Sequence, residues 1–195
     1  MVNLPITREE AITLLKSMPQ LESDMNHYLE TEVIMRALAE RFGEDIEYWG
    51  ILGLLHDVDW SLTKNNCAEH CIKATEILKK QGFDEEFIEN VQSHGYGYDE
   101  IPPLKDKKRT SKIQYSLIAA ETLTGIIYSY ALMRGRDISS MAVKGLKKKF
   151  KDRKFAEKCN RDLVREIELT GISLSEFFEL AINSIKGINE QIGLN

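Results

Sequence analysis

Helical periodicity is the property that most narrows what this chain can fold into. Apolar residues return at three- and four-residue spacing over roughly 8–18, 24–42, 45–57, 67–81, 84–94, 109–134, 139–150, 160–170 and 174–192, whereas period-2 alternation of β-branched residues is scarce. The ends of these segments carry helix signals. Thr7 and Glu10 form a capping box ahead of the first, Ser23 or Asp24 can start the second, and Gly43 follows its end. Asn160 and Ser173 or Ser175 stand as N-caps for two closing helices. No repeat, low-complexity tract or long Gly/Ser/Pro linker divides the 195 residues. The expectation is an all-α, single-domain helical bundle over 1–195, with its core at about 23–134 and C-terminal capping helices at about 139–193. Two loops interrupt it, 58–66 and the Gly- and Pro-punctuated 95–108.

Charge narrows the partners. A formal net charge of -5 argues against a nucleic acid polymer or an anionic membrane, both of which reward a basic surface, and favours a small diffusing substrate. Cys67, Cys71 and Cys159 are odd in number and lack CxxC spacing, so they read as small buried or surface thiols in a reducing compartment. The N-terminus has acidic residues where a signal peptide would want a basic start. Residues 113–133 include Gln114, Glu121 and several hydroxyls, so they read as a buried helix falling short of a membrane span. Cytoplasmic residence is expected by exclusion.

The chain has only four histidines, and each falls on the apolar side of an expected helix. His27 shares a face with Thr31, Ile34 and Leu38. His56 lies over Leu52 and Trp49, His70 beneath Ala74 and Ile77, and His94 follows Phe87 and Val91. A lone histidine so placed is more often a satisfied core residue; four together are harder to dismiss. Two carboxylates are equally out of place. Asp57 ends the apolar run ILGLLHDV and Glu121 sits within SLIAAETLTGII, neither with a Lys or Arg at i±3 or i±4. Burying such a charge costs several kcal/mol without a cation or strong hydrogen bonds. A divalent metal would meet the need, and Gly50 and Gly53 would let another helix approach the same face. Imidazole and carboxylate donors, with no thiolate in the set, suit Mn, Fe, Zn, Co or Ni, with Mg tolerated where oxygens dominate.

An early-helix His27, the pair in GLLHDVDW and the later carboxylate in AAETLTG together resemble the HD superfamily of metal-dependent phosphohydrolases. HCIKATEILKKQGF, IENVQSH and KKKFKDRKFA extend the likeness to a branch of HD hydrolases of about this length. The resemblance implies that His27, His56, Asp57 and Glu121 bind a first divalent ion. It further implies that Asp57 can bridge to a second ion, with His70 and His94 as additional ligands and Asp57, His70 and His94 as the catalytic set. One or two ions are therefore expected. The chain departs from the pattern at position 121, where the family has Asp, and Glu121 is expected to stay a ligand or to reach the metal through water.

The function so implied is hydrolysis of a phosphate ester or anhydride on a nucleotide or other small phosphorylated metabolite, by metal-activated water. A di-iron oxygenase of the same fold and a non-catalytic metal or nucleotide regulator are the alternatives. Asp59 can orient a ligand or serve as a cap. Tyr96, Tyr98 and Asp99 can close over substrate, although surface aromatics are the commoner reading. The basic run Lys144, Lys147, Lys148, Lys149, Lys151 and Arg153, together with Arg109, offers phosphate-binding candidates against the commoner reading of a solvated face.

Overall fold

A computed structural model describes residues 4–195, and among them there is no β-strand. The helices are α1 (Arg8–Lys16), α2 (Glu22–Phe42), α3 (Ile46–Leu55), α4 (Trp60–Thr63), α5 (Ile72–Lys80), α6 (Glu85–Gln92), α7 (Lys112–Met133), α8 (Val143–Lys151), α9 (Arg161–Arg165) and α10 (Leu174–Lys186), with short 3₁₀ turns at Cys67–Glu69, Ser93–Gly95, Glu166–Thr170 and Asn189–Ile192. The chain is thus all-α, as its periodicity requires.

Local chemistry sets the helix ends. The Thr7 hydroxyl accepts from the Glu10 amide at 3.2 Å while the Glu10 carboxylate accepts from the Thr7 amide at 2.7 Å. Asp24 is not an N-cap as expected. It lies inside the first turn of α2, where it accepts from the Leu21 amide at 3.1 Å, so the helix starts at Glu22. Gly43 ends α2 with φ 71°, a left-handed conformation that disfavours side chains with a Cβ.

The central contact is α2 against α3. Every residue of α3 from Tyr48 to Leu55 is buried, and its two glycines permit the approach. A Cβ at Gly53 would lie 2.9 Å from Met35 Cγ and 3.0 Å from the Thr31 carbonyl oxygen, and one at Gly50 would lie 2.6 Å from Arg36 Nε. Helix α7 packs against α2, α3 and α6 and against the C-terminal turns. By length and composition it does reach the minimum for crossing a membrane, which corrects the expectation that it falls short. Its burial against protein on several sides, from Gln114 to Ala131, is what makes it a core helix. Helices α8 and α10 pack on α7 and α2 respectively, and the core they share extends from Ala11 to Leu194.

One segment departs from the helical reading. Residues 67–81 were expected as one helix, but the chain breaks at His70, which is extended, and Cys71, which is left-handed at φ 64°. The buried Asp59 carboxylate stabilises the restart by accepting from the Ala74 amide at 3.0 Å. The loop expected over 58–66 contains the short α4.

Candidate metal centre

The four histidines come from four different stretches of chain and meet at one point. In each, Nδ1 is tied to an oxygen on the far side of the ring. His56, at the end of α3, donates to the Gly53 carbonyl at 2.8 Å, and His94 to the Val91 carbonyl at 2.6 Å. His70 donates to Asp59 Oδ1 at 3.0 Å. His27 Nδ1 is 2.9 Å from the Thr124 hydroxyl, which itself donates to the Glu121 carbonyl at 2.6 Å and therefore accepts from His27. These partners assign the tautomers and aim all four Nε2 atoms inward, the orientation of metal-binding imidazoles.

The Nε2 atoms fall into two pairs, His27 with His56 and His70 with His94, each 3.1 Å apart. Asp57 lies between them. Its Oδ2 is 3.6 Å from His56 Nε2 and 3.8 Å from His27 Nε2, and its Oδ1 is 3.1 Å from His94 Nε2 and 3.3 Å from His70 Nε2. One carboxylate thus turns an oxygen to each imidazole pair.

The two pairs differ electrostatically. Burial pushes His56 down to about 3 and lowers His27, outweighing the attraction of Asp57. Burial opposes charge at His70 and His94 too, but there the surrounding anions win: Asp57 and Asp59 at His70, Cys71 and Asp57 at His94. Both are raised, and this pair favours positive charge. Burial would raise the Asp57 carboxyl, yet the imidazoles around it hold it well below the usual carboxylate range.

Glu121 stands apart from these close-set donors. His27, His56 and Asp57 form one group with donor atoms within 4.8 Å of one another, and His70, Cys71 and His94 form another; Glu121 belongs to neither. Its Oε1 accepts from the Thr122 hydroxyl at 2.9 Å. Burial, with His94 pulling down and Asp57 pushing up, takes its carboxyl to about 7. It faces the cavity beside the site, about 420 Å³, lined by Asp57, Trp60, His70, His94, Tyr98 and Glu121 among others. A larger cavity of about 620 Å³ beside Arg8, Arg36 and Glu47 contains no imidazole, and its cations are already paired with Glu32 and Glu47.

Several expectations are corrected. Cys71, expected as a small buried or surface thiol, is buried, and its sulfur lies 3.4 Å from His94 Nε2, so the donors near the site include a thiol where the expected set had none. Burial alone would raise that thiol, but His94 and His70 lower it. The adjacent letters His70-Cys71 were the available signal; helical periodicity hid it, because successive residues on one helix point 100° apart. Arg109 is no free phosphate ligand. Its guanidinium is buried, held by the Glu166 carboxylate at 2.6 and 2.8 Å and by the Ser93 and Tyr96 carbonyls. Tyr96 is buried beside Cys71, Ile101 and Leu104 rather than poised over the cavity; Tyr98 does line it, and Asp99 pairs with Lys105. Lys144, Lys147, Lys148 and Lys151 line a different surface depression, and none of the basic run lines the site cavity. Asp59 both orients His70 and anchors α5.

Fold and site define an all-helical protein with histidines and carboxylates gathered as potential ligands for divalent metal. The HD domain family model matches residues 25–123, a span containing His27, His56, Asp57, His70, His94 and Glu121. This chain belongs to the HD domain family, whose members are in general metal-dependent phosphohydrolases. No curated protein and no solved structure matched it.

Proposed function

We propose that this protein hydrolyses a phosphate ester or anhydride of a nucleotide or other small phosphorylated metabolite, using one or two divalent ions. The observation that carries the reading is the pair of Nε2 atoms of His27 and His56, facing at 3.1 Å while both Nδ1–H groups are engaged elsewhere. Two nitrogen lone pairs so placed repel unless a cation lies between them, and burial keeps protons off both rings. The donor set therefore fits a divalent metal. His27, His56 and Asp57 would hold one ion; His70, His94 and the other oxygen of Asp57 would hold a second. When bound, such ions polarise phosphoryl oxygen and lower the pKa of water.

The chain's own groups supply the rest. Glu121, outside the close-set donors but on the cavity wall, would accept a proton from the attacking water as general base. This keeps the alternative of contact through water rather than direct ligation. Asp59 and the Gly53 and Val91 carbonyls fix the ring orientations. Trp60 and Tyr98 would flank the substrate's organic part. No Lys or Arg is among the described residues lining the cavity, so the metal ions would answer the phosphoryl charge.

Elemental analysis of protein purified without chelator, paired with a phosphatase and nucleotidase panel, tests this. Metal bound at one or two equivalents with phosphate release is the expected result. Metal-free protein without activity after reconstitution would overturn the reading. Two irons with oxygen consumption and no phosphate release would replace it with an oxygenase.

A further inference from the structure

We propose that Cys71 is a metal ligand, so that the second position is a His70, Cys71, His94 and Asp57 donor set selecting a thiophilic ion such as zinc over magnesium or manganese. The inference rests on the reading of the site as a metal centre. In tetrahedral zinc sites with Zn–N near 2.0–2.1 Å and Zn–S near 2.3 Å, neighbouring nitrogens lie about 3.3 Å apart and nitrogen and sulfur about 3.5 Å. Four of the six edges here are His70 to His94 at 3.1 Å, His94 to Asp57 at 3.1 Å, His70 to Asp57 at 3.3 Å and Cys71 to His94 at 3.4 Å. These four edges match a tetrahedron of this size, and the donor atoms of His70, Cys71 and His94 all lie within 4.8 Å of one another.

The backbone supports the same conclusion. Adjacent residues in a helix cannot aim at one point, but the break at His70 and the left-handed turn at Cys71 bring both donors to it. A left-handed cysteine is strained, because its Cβ crowds the carbonyl oxygen. Space for the sulfur comes from Gly95, where a Cβ would stand 2.7 Å from Cys71 Sγ. The thiol is fully buried, with Tyr96, Ile101 and Leu104 shielding this side of the site from water. Thiolate, imidazole and carboxylate in tetrahedral array favour zinc or cobalt, while magnesium wants octahedral oxygen. As the ion enters, the thiol proton leaves to solvent.

Metal-free protein titrated with Co(II) tests the proposal. The expected result is a near-ultraviolet thiolate-to-cobalt charge-transfer band that is lost in Cys71→Ser and Cys71→Gly and kept in Cys67→Ser and Cys159→Ser. Cys71→Gly suits the left-handed backbone, so misfolding would not account for the loss. Its zinc affinity should fall by at least the roughly 10–100-fold seen for groups that merely support a ligand. Cobalt bound at full stoichiometry without the band, or a band that survives both Cys71 variants, would overturn the cysteine ligand and leave the metal centre standing. Failure to bind cobalt at all would overturn both.

Discussion

His27 on α2 and His56 at the end of α3 approach each other through their unprotonated Nε2 atoms at 3.1 Å, on two helices that pack closely at Gly53. A cation between them removes the repulsion, so a divalent ion should stabilise the fold. At a free concentration of 100 times Kd the gain is about 2.7 kcal/mol, and with roughly 2–4 °C per kcal/mol at this chain length Tm should rise by roughly 5–10 °C. Thermal melts with metal and with chelator check this. The His56→Ala, Asp57→Ala double variant should lose the ion at the His27 and His56 position and its share of the shift; full metal stoichiometry in it would disprove the site assignment.

Asp59 accepts from His70 Nδ1 with one oxygen and from the Ala74 amide with the other. Asp59→Asn keeps the shape but has only one acceptor oxygen for two donors. Metal affinity or activity should drop by about 10–100-fold, the usual cost of losing a ligand's supporting partner. Titration should place the loss at the ion held by His70 and His94 while the His27 and His56 position remains filled. Equal loss at both positions would mean that Asp59 supports the whole fold rather than His70.

Glu121 lies outside both close-set donor groups. Glu121→Gln should therefore keep the metal and lower turnover by about 10²–10⁴-fold, the contribution typical of a general base. Glu121→Asp should also keep the metal. Loss of metal from either variant, measured by elemental analysis, would make Glu121 a direct ligand.

Glu30 is a buried carboxyl on α2 whose Oε1 has no hydrogen-bond partner, and burial raises it well above the ordinary carboxyl range. The unfolded chain releases this proton first. Stability should accordingly decline as pH rises from the unfolded value through the folded one, because the native state must either keep a proton or bury a charge. Glu30→Gln should raise Tm at neutral pH and flatten that decline, whereas an unchanged slope in melts from pH 4.5 to 8 would show that Glu30 finds a partner in solution.

Much of the architecture can be read from spacing alone. Thr7 with Glu10, Gly43, Asn160 and Ser173 act as the helix signals they resemble, because capping depends on residues within a turn of one another. The inward histidines are equally legible, since a polar residue inside an apolar stripe is visible without coordinates. Errors arose where local pattern competes with distant partners. Arg109 looked like a free cation until Glu166, far along the chain, proved to hold it, and the periodicity of 67–81 concealed the break at His70 and Cys71.

The sequence by itself determined the helices, their apolar faces and the inward placement of His27, His56 and Asp57, for these follow from the 3.6-residue repeat and the cost of buried charge. Only the tertiary structure decided that the four imidazoles form two pairs about one carboxylate, that Cys71 joins the second pair and that Glu121 stands back. These are distances of a few ångströms between side chains up to about a hundred residues apart, and packing fixes them: the absent side chains at Gly53 and Gly95 and the turn at Cys71 set how closely the backbones meet.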